Sequence, residues 1–251
     1  MSSQTSTKLL NDGTMMPTLG FGTGTSVQGK SECSDAIVLA LQKGFRYIDT
    51  ACSYENEESV GIALKKWGGN REDVFICSKW GWSIPDHPHD AEEELRNCLE
   101  KMCVDYLDLY LIHSVNVSQP QPYSNVEAWK KMEDFKRRGL VRSIGISGFS
   151  GTHIEELAQM WTIPPSINQI EYHPYSFHDP RMIHMAETCR KYNIAISPFS
   201  ALAPLTRFPG GPVNAVAAEI ANKRGLTAAQ VLLVWARQRS GGGPVVTSVI
   251  R

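Results

Sequence analysis

Net charge is what this chain has least of. Its 251 residues carry 25 Lys and Arg against 26 Asp and Glu, a formal balance of −1. With no basic excess to neutralise phosphates, a general nucleic-acid or polyanion binder is excluded. Long apolar runs are also missing: none approaches the ~18 residues of a membrane span, so no membrane partner is expected. The opening MSSQTSTK has no apolar h-region, and a secretory signal is not expected. The six cysteines (Cys33, Cys52, Cys77, Cys98, Cys103, Cys189) form no CxxC pair. Reduced thiols in a cytoplasmic protein are therefore expected. No two of the seven histidines stand four apart as on the helix of a zinc hydrolase, and no metal is expected.

What is present is an ordinary globular composition, 42% apolar and 20% charged. The segment Lys8 to Gly20 reads as a hairpin turning at Asn11-Asp12-Gly13. From there short apolar runs alternate with longer helical patterns. Strands are expected at 19–21, 46–49, 74–78, 107–113, 141–147, 166–171, 193–197 and 245–247. Helices are expected at 31–43, 57–67, 90–102, 125–138, 151–160 and 179–192, the last opening on Asp179-Pro180. Such alternation means parallel strands joined by crossover helices. Eight strands point to a closed (β/α)8 barrel, an α/β fold that fits in about 250 residues. The alternative, a doubly wound dinucleotide-binding sheet, needs a glycine-rich first turn. Gly20-Phe21-Gly22-Thr23-Gly24 is a fragment of one, followed by a polar loop instead of a helix. No linker or repeat breaks the chain, so residues 1–251 read as one barrel domain, with the glycine–proline clusters 208–212 and 241–244 as loops. No helix follows the eighth strand before Arg251. The expectation is uncovered apolar surface there, on which the chain could oligomerise.

Four polar residues fall at or just past successive strand ends: Asp49, Tyr54, Lys79 and His113. In a barrel such positions converge on one face. Each alone has an ordinary explanation, since a lone tyrosine usually packs, a lone lysine is usually solvated and a lone histidine can be a satisfied core residue. Together they make chemical sense. A phenol with a pKa near ~10 is a poor acid–base group at neutral pH, and a nearby ammonium lowers that pKa. A carboxylate keeps the buried lysine charged. A neutral histidine can donate a hydrogen bond to a carbonyl oxygen. The group could protonate a developing alkoxide, but no side chain donates hydride; a nicotinamide cofactor would have to.

The segments Leu19-Gly20-Phe21-Gly22-Thr23, Ile48-Asp49-Thr50-Ala51 with Tyr54-Glu55-Asn56-Glu57, and Ser78-Lys79-Trp80 occur in that order. Tyr106 to His113, Gly145-Ile146-Ser147 and Asn168-Gln169-Ile170-Glu171 follow them. Together they resemble the aldo-keto reductases, from about Lys8 to the last residue. The resemblance implies a (β/α)8 barrel that reduces small-molecule aldehydes or ketones with NADPH, with Asp49, Tyr54, Lys79 and His113 as the catalytic tetrad. It also implies that Ser147 and Gln169 hold the nicotinamide carboxamide, with Gly148 where the family usually has Asn. Phe199 would stack on the ring in place of the usual Tyr, and Thr23, Asp49, Ser200 and Leu202 would lie around the cofactor. Thr247, Ser248 and Arg251 would take the adenosine 2′-phosphate. Trp80 and Trp82, with His113, would wall the substrate pocket. The run Phe199 to Leu205 with Gly210-Gly211-Pro212-Val213 is similar to the fungal branch reducing conjugated polyketones, ketopantoyl lactone and α-keto amides. The competing expectations are a cofactor-binding regulatory or partner-binding barrel with little activity, and a truncated inactive product.

Overall fold

The computed structural model describes residues 6–25, 27–29, 32–81, 90–115 and 124–248. The chain begins with the expected hairpin, β1 (Thr7–Leu9) antiparallel to β2 (Met15–Pro17), with Leu9 opposite Met15. The Asp12 side chain accepts the Thr14 amide across the turn. The hairpin is tied to the rest of the chain by an ion pair, Lys136 Nζ to Asp12 Oδ2 at 2.6 Å. Its Leu10 and Met16 pack with Tyr47, Phe75, Cys77, Leu109, Leu111, Ile167 and Val246.

Eight parallel strands follow: β3 (Leu19–Gly22), β4 (Tyr47–Asp49), β5 (Phe75–Trp80), β6 (Leu107–Ile112), β7 (Val141–Ser147), β8 (Ile167–Glu171), β9 (Ala195–Phe199) and β10 (Val245–Thr247). They pair in chain order, and β10 returns beside β3 with Val245 opposite Leu19. Between β9 and β10 the Ser197 hydroxyl donates to the Pro244 carbonyl at 2.8 Å. The result is the expected, nearly closed (β/α)8 barrel. Strand residues alternate faces. On β5, Phe75 and Cys77 join the cluster that holds the hairpin's Leu10, while Ile76 and Trp80 join the larger cluster that the strands share with the helices.

The helices between strands are α1 (Cys33–Gln42), α2 (Glu57–Trp67), α3 (Ala91–Met102), α4 (Asn125–Arg137), α5 (Gly151–Ala158) and α6 (Pro180–Lys191). Local chemistry sets several starts. Ser124 and Glu127 form a reciprocal capping box on α4, and Asp179 caps α6 ahead of Pro180. Single 3-10 turns cover Cys52–Tyr54 and Arg71–Asp73. Between β9 and β10 lie α7 (Ala203–Thr206), α8 (Pro212–Arg224) and α9 (Ala228–Arg239). Pro212, expected in a loop, is the first residue of α8, where its missing N–H costs nothing.

Candidate active site

The C-terminal ends of the strands open into a cavity of about 1130 Å³. Its wall contains Asp49, Tyr54, His113, Ser147, Gln169, Phe199, Ser200, Leu202, Thr247 and Ser248, ten of the expected site residues. Trp82 and Arg251 lie outside the described residues.

Asp49, last residue of β4, is the hub. Its Oδ1 accepts from Lys79 Nζ at 2.6 Å. Its Oδ2 accepts from the Tyr47 hydroxyl and from Gln169 Nε2, each at 2.7 Å. Lys79 also donates to the Thr50 carbonyl at 2.7 Å, and its ammonium lies 5.0 Å from the Tyr54 ring centroid. Sequence reading placed Lys79 just after a strand; it is inside β5, and period two aims it with Cys77 toward Asp49. Tyr54 ends the 3-10 turn that follows Ala51, and its ring meets the His113 ring edge-on at 5.6 Å. His113 follows β6 directly, and its Nδ1 is 3.4 Å from the Ser53 hydroxyl. The four residues therefore converge.

Their protonation states follow from burial and from each other. Burial alone would strip Lys79 of its proton, but Asp49 and then Tyr54 hold its pKa above the ordinary lysine value. Burial pushes His113 down to about 3, with Lys79 adding to the effect, so its imidazole is neutral at physiological pH. Burial lifts the Tyr54 phenol above its usual value; Lys79 pulls it down and Asp49 pushes it up. The lowering expected from the lysine is present but does not outweigh desolvation.

Two expectations fail on strand and loop geometry. Trp80 does not wall the cavity. It is fully buried in the cluster between strands and helices, because on β5 it points opposite to Lys79. Thr23 is also fully buried, and its hydroxyl is committed to the Asp49 carbonyl, Thr50 and Asn56 at 3.0 to 3.3 Å. Its side chain braces the loop after β3 and does not line the cavity.

Sequence reading also missed residues. Tyr47 stands two before Asp49 on one strand, so the period of two alone puts it on the same face. Arg207 and Glu171 line the cavity and pair at 2.8 Å across 36 positions, which no local pattern announces.

A family model, the Aldo/keto reductase family, matches residues 18–251. An NAD/NADP-dependent indole-3-acetaldehyde reductase of Schizosaccharomyces pombe is 36% identical over 237 residues, covering 93% of this chain and 81% of that protein. The methylglyoxal reductase DkgA of Escherichia coli is 38% identical over 229 residues, covering 90% and 77%. Among solved structures, a Bombyx mori aldo-keto reductase in complex with NADP superposes with a TM-score of 0.83 at 30% identity, covering 98% of this chain and 84% of that one. An aldo/keto reductase from Brucella melitensis also superposes at 0.83, with 32% identity, covering 99% and 90%. This chain belongs to the aldo/keto reductase family.

Proposed function

We propose that the chain reduces aldehydes and ketones, small α-dicarbonyls among them, with NADPH as reductant and Tyr54 as proton donor. The observation that carries this reading is the convergence of a charged Lys79, held by Asp49, with Tyr54 and a neutral His113 at one cavity.

The residues present fit a nicotinamide dinucleotide. The cavity, about 1130 Å³, exceeds the usual small-molecule pocket of roughly 300–1,000 Å³. It offers hydrogen-bonding side chains at Ser147 and Gln169, an aromatic ring at Phe199 and hydroxyls at Thr247 and Ser248. Gln169 donates its amide nitrogen to Asp49, which leaves its carbonyl oxygen to accept from a carboxamide. Phe199 offers a ring face, which stacking requires and a hydroxyl does not improve. Ser200 and Leu202 line the same cavity, and the hydroxyls of Thr247 and Ser248 would donate to a 2′-phosphate. Bound NADPH supplies the hydride. The rest is done by this chain.

His113, neutral, donates an N–H to the substrate carbonyl oxygen and orients it. Tyr54 gives its hydroxyl proton to that oxygen as alkoxide character develops. Lys79 limits the cost of the phenolate left behind, and Asp49 keeps Lys79 charged inside the barrel. The substrate reading draws on the methylglyoxal and indole-3-acetaldehyde reductases among the relatives and on the resemblance to the fungal branch. Loss of NADPH absorbance with methylglyoxal, and a rise in melting temperature with NADPH, test it. Both are expected. A folded protein that neither binds NADPH nor oxidises it with any simple aldehyde or α-dicarbonyl would overturn the reading.

A further inference from the structure

The first turn of α3 carries three acidic residues, Glu92, Glu93 and Glu94. A helix start favours acids at its surface, and Glu92 does that work in an ion pair with Arg138 at 2.6 Å. Glu94 turns inward instead. Its Oε2 accepts a hydrogen bond from Cys52 Sγ at 3.3 Å, and the Gly81 amide is near enough to favour the charged carboxylate. These two groups belong to different parts of the active site. Cys52 opens the 3-10 turn that Tyr54 ends, and Gly81 stands two residues beyond Lys79.

We propose that Glu94 is a positioning residue for proton transfer: through Cys52 it anchors the turn carrying Tyr54 to α3, beside the strand end carrying Lys79. The proposal rests on the reading of Tyr54 as the proton donor. A half-buried carboxylate held by a thiol is a costly way to start a helix. The contact it makes explains its place. Tyr54 must sit where Lys79 moderates its phenol, and a shift of about 1 Å at such a contact can cost 10²-fold in rate.

The surroundings make the anchor sensitive to pH. Burial pushes Glu94 up to about 7, Glu57 of α2 adds like charge, and the Cys52 thiol, Gly81 amide and Lys101 pull the other way. Cys98 on α3 and Tyr110 on β6 share the cluster, and burial holds the pKa of each far above its usual value, so both stay neutral. The Glu57 carboxylate is itself occupied by the Ser78 hydroxyl at 2.7 Å. Above about 7 its carboxylate accepts the Cys52 bond; below, one oxygen carries a proton and the anchor slackens.

The test is the pH profile of kcat with NADPH and methylglyoxal for wild type, Glu94→Gln, Cys52→Ala and Cys52→Ser, with NADPH Kd and Tm measured on each. The wild-type kcat is expected to fall as pH drops through about 7. Glu94→Gln should lose that limb and turn over roughly tenfold more slowly at pH 8, with NADPH Kd unchanged and Tm no lower than that of wild type. Cys52→Ala should slow the reaction similarly, and Cys52→Ser, whose hydroxyl still donates, should restore it. Glu94→Gln with the wild-type rate and acid limb would overturn the proposal, as would a rate loss that merely tracks a loss of Tm. Tyr54→Phe run alongside separates the two readings. If it is inactive while Glu94→Gln behaves as wild type, only the positioning role fails; if it is fully active, the assignment of Tyr54 fails first.

Discussion

Lys79 is fully buried, and its charge exists because Asp49 is 2.6 Å away. Removing one member of such a pair strands the other, a loss of about 3–5 kcal/mol. Lys79→Met is therefore expected to lower Tm sharply and to abolish turnover. The pair with Asp49→Asn should recover much of the Tm without recovering activity, because the cation that restrains the phenol is still missing. Calorimetry and kinetics on both variants check this. Gly148 offers the opposite experiment. It lines the cavity at φ +71, and a Cβ there would meet nothing within 4 Å. Asn tolerates that left-handed backbone better than most residues. Gly148→Asn, adding one amide worth about 0.5–1.5 kcal/mol, should tighten NADPH binding by up to roughly tenfold. Unchanged or weaker binding in a folded variant would show a loop shaped around glycine. Ser248→Ala should weaken NADPH more than NADH, as fluorescence titration of the two cofactors would show.

Elements were easier to read than the side chains they aim. All eight strands were anticipated within two residues at each end because buried parallel strands are short apolar runs set off by turns. β9 lies two residues further along at both ends, since Ile194 extends its apolar pattern backward while Asn193 takes a left-handed turn at φ 55. Trp80 shows the deeper limit. An aromatic beside a catalytic-looking lysine invites a pocket reading, yet one step along a strand reverses the face. The helices after β9 went unnamed because α8 and α9 carry weak apolar stripes, with Val216, Ile220 and Val234 exposed. Close packing between elements is invisible to pattern. Gly61 on α2 lies so near the end of α3 that a Cβ would stand 2.7 Å from the Met102 carbonyl oxygen. Gly61→Ala should thus destabilise the protein, even though alanine is the better helix former by about 0.5–1 kcal/mol. A rise in Tm would contradict that packing.

For the molecule as a whole, the barrel turns residues scattered from Asp49 to Ser248 into one cavity, and it charges a stability cost at low pH. His113 has a folded pKa of about 3, far below its ordinary 6.5. The unfolded chain therefore binds a proton that the folded one refuses. Stability from the neutral imidazole is present above about 6.5 and is lost as pH falls toward 3, at up to about 1.4 kcal/mol per pH unit. Glu94, raised to about 7 from 4.5, works the other way between those two values. Denaturant midpoints should accordingly fall more gently with acid in wild type than in Glu94→Gln, and least in His113→Asn. The convergence of the four polar groups was legible because strand ends of a barrel share a face. The bracing by Thr23 and Asn56 was not, since it depends on contacts between separate loops. The central claim is that Tyr54 gives the proton at a site built to hold NADPH. Its most direct test is Tyr54→Phe, assayed for methylglyoxal reduction and titrated with NADPH. The account predicts a kcat lower by about 10²–10⁴-fold with NADPH Kd unchanged within about twofold. Turnover near the wild-type rate would contradict it.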